Sequence, residues 1–149
     1  MDDMIREAKL KALSLLNYMD RTELQLRQKL KEKSFDDDAV DEAVNYVKYF
    51  GYINDAGYAE RYILNKQSSK SRREIYASLS QKGISREDIE VAMENCYEAE
   101  DELAAIQRLC EKKHFMAEKS TDAEKKRMYH YLLRKGFKVD DVCKVLKVQ

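Results

Sequence analysis

The sequence predicts an all-helical protein built from three tandem three-helix repeats, and three observations carry that expectation. The 149 residues include no proline and only 4 glycines, so the punctuation of turn-rich β folds is missing. Apolar residues recur three and four apart over long stretches, which is the period of a helix with one buried face. The same arrangement of apolar residues around a lysine-containing turn then returns twice downstream. A chain of this size buries roughly two thirds of its unfolded surface, enough for a core without metal or disulfide staples.

The elements follow in order. Ile5 to Leu16 forms a first amphipathic helix. Asp20 to Lys33 carries Leu26 and Leu30 four apart, and Asp38 to Phe50 carries Val40, Ala43, Val44 and Val47. Between them stands Lys33-Ser34-Phe35-Asp36, in which Asp36 can cap the following helix, an interaction worth about 1 kcal/mol. The second copy reads Ile75, Leu79, Lys82-Gly83-Ile84-Ser85, Ile89, Ala92 and Met93, 49 positions after the first. The third reads Met128, Leu132, Lys135-Gly136-Phe137, Val142, Val145 and Leu146, 53 positions after the second. Gly83 and Gly136 fall where a helix end needs a left-handed residue, and Ser34 must take that conformation in the first copy. Upstream helices over Asp55 to Lys66 and Leu103 to Phe115 complete the later copies. The expected repeats are residues 1–52, 53–100 and 101–149, nine helices in all, with a linker from Lys112 to Thr121. The stripe Tyr46, Tyr49, Phe50, Tyr52, Ile53, Tyr58 could stack bases, but helical spacing at a repeat junction more often marks packed core.

Composition excludes several classes of function. Cys96, Cys110 and Cys143 are odd in number and widely spaced, which suggests neither a disulfide framework nor a zinc site and fits a reducing cytosol. No basic leader precedes an apolar stretch, and no run approaches the roughly 18 apolar residues of a membrane span, so a soluble cytoplasmic protein is expected. No Gly-rich loop followed by Lys-Ser/Thr exists for nucleotide phosphates. His114 and His130 lie outside any metal-ligand pattern, and the carboxylates cluster in solvated runs without a distinct acid–base pair. The expected activity is binding, with no cofactor.

The 28 Lys and Arg balance 28 Asp and Glu, yet the charge is segregated. Arg61, Lys66, Lys70, Arg72, Arg73 and Lys82 face one acid, Glu74, between residues 61 and 82. Lys125, Lys126, Arg127, Arg134, Lys135 and Lys138 face none between 125 and 138. Glu87 to Glu102 holds eight acids and no base, and Asp36, Asp37, Asp38, Asp41 and Glu42 repeat the theme. Complementing helix dipoles accounts for Lys33, Lys82 and Lys135 in last turns and Asp37, Asp38, Glu87 and Asp88 in first turns. It does not account for Lys70, Arg72 and Arg73 or for Lys125, Lys126 and Arg127, at helix starts, where cations are disfavoured. The residues expected to contact a partner or DNA are therefore Lys66, Lys70, Arg72, Arg73 and Lys82, with Lys125, Lys126, Arg127, Arg134 and Lys135. Phosphates or acidic side chains could pair with them.

Three stretches resemble one bacterial family. Arg21, Glu23, Leu24, Lys29 and Leu30 with Phe35 form the first. Gly51-Tyr52-Ile53-Asn54-Asp55 with Tyr58-Ala59 and Tyr62 forms the second, and Ile75, Leu79 and Lys82-Gly83-Ile84 the third. In order and spacing they resemble the RecX family, regulators of the recombinase RecA, closely over the first two thirds of the chain and more loosely beyond. The resemblance implies an elongated, curved array of three-helix repeats, no cofactor, and binding in the groove of the RecA filament on single-stranded DNA; a monomer is the expected state of the chain. Restraint of ATP hydrolysis, strand exchange and stimulated repressor self-cleavage would follow. Family members are often strongly basic, and the neutral balance of this chain tilts the expectation toward contacts with protein. The alternatives are a sequence-tolerant DNA-binding protein with helix-turn-helix-like units and a helical scaffold for another protein.

Overall fold

The computed structural model describes residues 2–149, and among them all regular structure is helical. The helices are α1 (Asp2–Tyr18), α2 (Glu23–Glu32), α3 (Asp37–Tyr49), α4 (Asp55–Lys66), α5 (Arg72–Gln81), α6 (Arg86–Cys96), α7 (Ala99–Lys112), α8 (Asp122–Arg134) and α9 (Val139–Leu146), with one 3₁₀ turn at Ala117–Lys119 between α7 and α8. That turn interrupts the stretch expected to be a plain linker. Helix α7 also stops short of Phe115. His114 takes a left-handed conformation (φ 57°), which lets the Phe115 N–H reach back to the Cys110 carbonyl at 2.8 Å and turns the Phe115 ring onto the neighbouring core.

Helix starts are chemically marked. Thr22 and Gln25 form a reciprocal capping box before α2, and Thr121 and Glu124 form another before α8. Asp36 accepts the Ala39 N–H at 2.8 Å, the cap expected from the sequence. Helix ends use Ser34 (φ 70°), Gly83 (φ 88°) and Gly136 (φ 94°) in the anticipated left-handed slot.

Contacts group the described residues into two units. The first comprises residues 1–59 and 79–89, the second 60–78 and 90–149. In the first, Ala8 and Ala12 of α1 let α3 approach closely, and Leu26, Leu30, Val40, Val44 and Val47 close a core from which water is excluded. One repeat junction also lies within it. The buried Thr22 hydroxyl, besides capping α2, donates to the Lys82 carbonyl at 2.6 Å, and a side chain on Gly83 would place its Cβ 2.4 Å from Leu24 Cβ.

The second unit repeats this construction on its own residues. Ile106, Leu109, Met128, Leu132, Phe137, Val142 and Leu146 form its core. The buried Ser71 hydroxyl accepts the Glu74 N–H and donates to the Lys135 carbonyl at 2.5 Å, and a Cβ on Gly136 would meet Arg73 Cβ at 2.9 Å. Ser71 follows Thr22 by 49 positions and Lys135 follows Lys82 by 53, the same offsets that relate the apolar residues.

The aromatic stripe departs from expectation. Ile53 is buried and Tyr46 half-buried, but Tyr49, Phe50 and Tyr52 are 83%, 54% and 56% exposed. The α3 helix ends at Tyr49 and Gly51 (φ 76°) turns the chain, so these three rings leave the buried face and pack on one another instead.

Candidate anion-binding surface

The expected site residues divide by what their side chains already do. Arg72 is the first residue of α5, where a cation would ordinarily be disfavoured. Its guanidinium donates to the Tyr97 carbonyl at 2.9 Å, lies 5.0 Å from the Tyr97 ring centroid, and places Nε 4.0 Å from Glu102. Glu102 is 2% exposed although it belongs to a run expected to be solvated, and its carboxylate accepts the backbone N–H of Arg72. Burial holds that carboxyl above its ordinary range, with Lys138 and Arg72 pulling the other way. Arg72 therefore fastens α5 to the α6–α7 junction. Arg73 packs its stem over Gly136 and keeps its head partly in solvent.

Lys70 and Lys135 come together in the second unit. With Lys112 and Lys113 they line a cavity of about 520 Å³ whose lining holds no carboxylate. Tyr131 stands in the same wall, its ring 4.3 Å from the Lys113 ammonium and 5.4 Å from that of Lys135. Such cation–π contacts steady the lysines without neutralising them. Glu74 flanks the cavity from α5, 3.8 Å from Lys135 Nζ. A second concavity of about 400 Å³ shares Lys113 and Tyr131 and adds Arg127, with Glu124 and His114.

The remaining expected residues lie elsewhere. Lys125 and Lys126 line a smaller hollow with Asp122 and Tyr129. They do not occupy a helix start: α8 begins at Asp122, and Asp122 and Glu124 fill its first turn. Lys66 and Lys82 are half-buried, Arg134 lies on α8, and Lys82 belongs to the other unit. Sequence reasoning missed Lys112, Lys113 and Tyr131, because the lysines close an acidic helix and the tyrosine sits beside core positions. The adjacency of Lys112 and Lys113 and the four-residue step from Tyr131 to Lys135 were the available signals.

Chemically, a concavity lined by four lysines, of which among the described residues only Lys135 has a carboxylate, Glu74, at ion-pair distance across its edge, favours an incoming anion. Phosphate oxygens or clustered carboxylates meet the requirement. Among the described residues no three His, Cys, Asp or Glu gather as metal ligands, and no helix is long and apolar enough to cross a membrane.

Comparison with known proteins gives a consistent result. Family models for the first, second and third three-helix domains of RecX match residues 8–46, 54–93 and 100–146. The regulatory protein RecX of Caldanaerobacter subterraneus subsp. tengcongensis is 38% identical over 144 residues, covering 96% of this chain and 71% of its own length. That of Clostridium perfringens strain SM101 is 34% identical over 142 residues, covering 93% of this chain and 66% of its own. A crystal structure of RecX from Lactobacillus salivarius superposes with a TM-score of 0.80 at 25% identity, over 99% of this chain and 97% of that one. Three consecutive domain matches, in order and over most of the residues, make this chain a member of the RecX family.

Proposed function

We propose that this chain binds the RecA nucleoprotein filament and restrains it, lowering ATP hydrolysis, strand exchange and co-protease activity in recombination, DNA repair and the SOS response. The observation that carries this reading is the cavity of Lys70, Lys112, Lys113 and Lys135, which suits a polyanion, in a chain whose relatives are named regulatory proteins. The surface would engage the filament's single-stranded DNA or an acidic face of RecA, and the chain would act as a cytoplasmic monomer without a cofactor. Neither role asks the chain to make or break a covalent bond.

The test is RecA's DNA-dependent ATPase titrated with the wild-type chain and with a Lys112→Glu/Lys113→Glu variant, beside binding to naked single-stranded DNA at two salt concentrations. The wild type is expected to inhibit below one copy per RecA and the variant to need at least about tenfold more protein, roughly the 1.4 kcal/mol of one good charged contact. Full activity of RecA at saturating wild-type protein would overturn the proposal. Salt-sensitive binding to naked DNA in that case would favour the DNA-binding alternative.

A further inference from the structure

The second unit holds another concavity whose chemistry differs from that of the lysine-lined one. It measures about 730 Å³, within the range of ligand-sized sites. Its apolar strip is Tyr76 and Ala77 of α5 with Met93 of α6. Arg73 at the start of α5 and Lys138 in the turn before α9 supply cations, and Glu94 of α6 supplies an exposed acid. Charges of opposite sign thus enter from different elements beside an apolar strip.

The lining is held in place before anything binds. Arg72 is fixed by its bond to the Tyr97 carbonyl, and its Nε is buried without a hydrogen bond although Glu102 lies 4.0 Å away. Glu102 is itself in the lining and almost wholly buried, where desolvation disfavours its charge. Gly136 completes the wall at a point where a side chain would collide with Arg73 and Ser71. A rigid groove loses little conformational freedom on binding.

We propose that this groove receives an amphipathic helix of a protein partner. An apolar side chain of that helix would lie on Tyr76, Ala77 and Met93, an acid on one flank would meet Arg73 and Lys138, and a base on the other would meet Glu94. This is helix-in-groove recognition, in which apolar anchors supply affinity and flanking charges fix direction. A solute of one charge would satisfy only half of the rim. The inference rests on the reading of the chain as a RecA-filament regulator and deepens it: the lysine-lined cavity takes an anion, while the groove takes a helix from the protein part of the filament.

Two substitutions test it without touching the buried lining. Ala77 lies in the groove wall on the open side of α5, so Ala77→Trp fills the groove while the helix keeps its place, and Glu94→Lys reverses one flank. Inhibition of the RecA filament's ATPase, binding to a naked oligothymidylate strand and helical circular dichroism are measured for wild type and both variants. The expected result is a rise of about tenfold or more in the concentration needed for half-inhibition by Ala77→Trp and a smaller rise for Glu94→Lys, the scale of one anchor and one charge pair. Oligothymidylate binding by Ala77→Trp and the helicity of both variants stay unchanged. If the wild type inhibits and both variants match it, the groove proposal fails and the regulatory reading stands. If Ala77→Trp loses oligothymidylate binding together with inhibition, the groove serves nucleic acid and the helix is overturned as its occupant. If the wild type does not inhibit at all, the regulatory reading fails and takes this inference with it.

Discussion

Gly83 and Gly51 both adopt positive φ, yet they do different things. Around Gly51 nothing lies within 4 Å of a built Cβ, whereas at Gly83 that atom would sit 2.4 Å from the Leu24 Cβ, which has no freedom to retreat. Gly51→Ala is expected to cost about 1 kcal/mol of backbone strain. Gly83→Ala adds a steric penalty of about 1–3 kcal/mol, and comparison of the two urea midpoints measures the difference. The caps divide similarly. Thr22→Val is expected to cost about 2–3 kcal/mol, since a helix cap is removed and the Lys82 carbonyl loses the donor that the buried Thr22 hydroxyl supplies. Thr121→Ala, at an exposed cap, is expected to cost about 1 kcal/mol. Thermal denaturation would separate them by several degrees. The left-handed role of Gly83 and Gly136 was legible from their position after Lys82 and Lys135. Their contact role was not, because it depends on residues about 60 positions away.

Glu102 supplies a pH dependence. Its folded-state affinity for a proton is raised above the ordinary value near 4.5 by burial, so the folded chain binds that proton more readily than the unfolded one. Stability from this group is therefore fully present at low pH and is lost as pH rises through the folded value. Glu102→Gln should remove that slope. Urea midpoints of wild type and variant, compared from pH 4.5 upward, are expected to diverge in the variant's favour; parallel curves would refute the assignment.

At the scale of the element, the nine α-helices of the described residues were readable because their apolar residues recur with a 3.6-residue period, and the start of α3 was marked by Asp36. What escaped reading was local and depended on backbone geometry. His114 ends α7 in a left-handed turn that its residue type does not announce, and Tyr49, Phe50 and Tyr52 leave the buried face because α3 stops there. The basic runs were visible, but their fates were not. Arg72 is spent on Tyr97 and Glu102, whereas Lys112 and Lys113, at the expected start of a linker, join Lys70 and Lys135. If those four lysines bind phosphates, Lys112→Glu/Lys113→Glu should reduce the slope of log affinity against log salt for single-stranded DNA by about 0.7 for each phosphate no longer engaged. Parallel slopes would remove the two residues from the interface.

For the whole molecule, zero net charge is a sum of unlike parts. Residues 1–59 and 79–89 hold 11 basic against 14 acidic side chains, a net of −3, while residues 60–78 and 90–149 hold 17 against 14, a net of +3. The linear sequence revealed the alternation of basic and acidic runs. The grouping could not be read from it, since the second and third helices of the central repeat are each divided between the units. Polyanion binding is accordingly expected to follow the second unit's lysines and to be insensitive to Lys29→Glu or Lys31→Glu in the first, as measured by anisotropy of a labelled single strand.

The hydroxyl bonds from Thr22 to the Lys82 carbonyl and from Ser71 to that of Lys135 join residues 60 and 64 positions apart. On a ribosome making about 5–20 residues per second, each acceptor emerges several seconds after its donor. Until then a hydroxyl destined for burial stays in water, and the surface around it stays open to other partners. Each earlier repeat is thus completed by the one synthesised after it, and a chain stalled before residue 82 would expose an unfinished junction to the quality-control machinery of the cell.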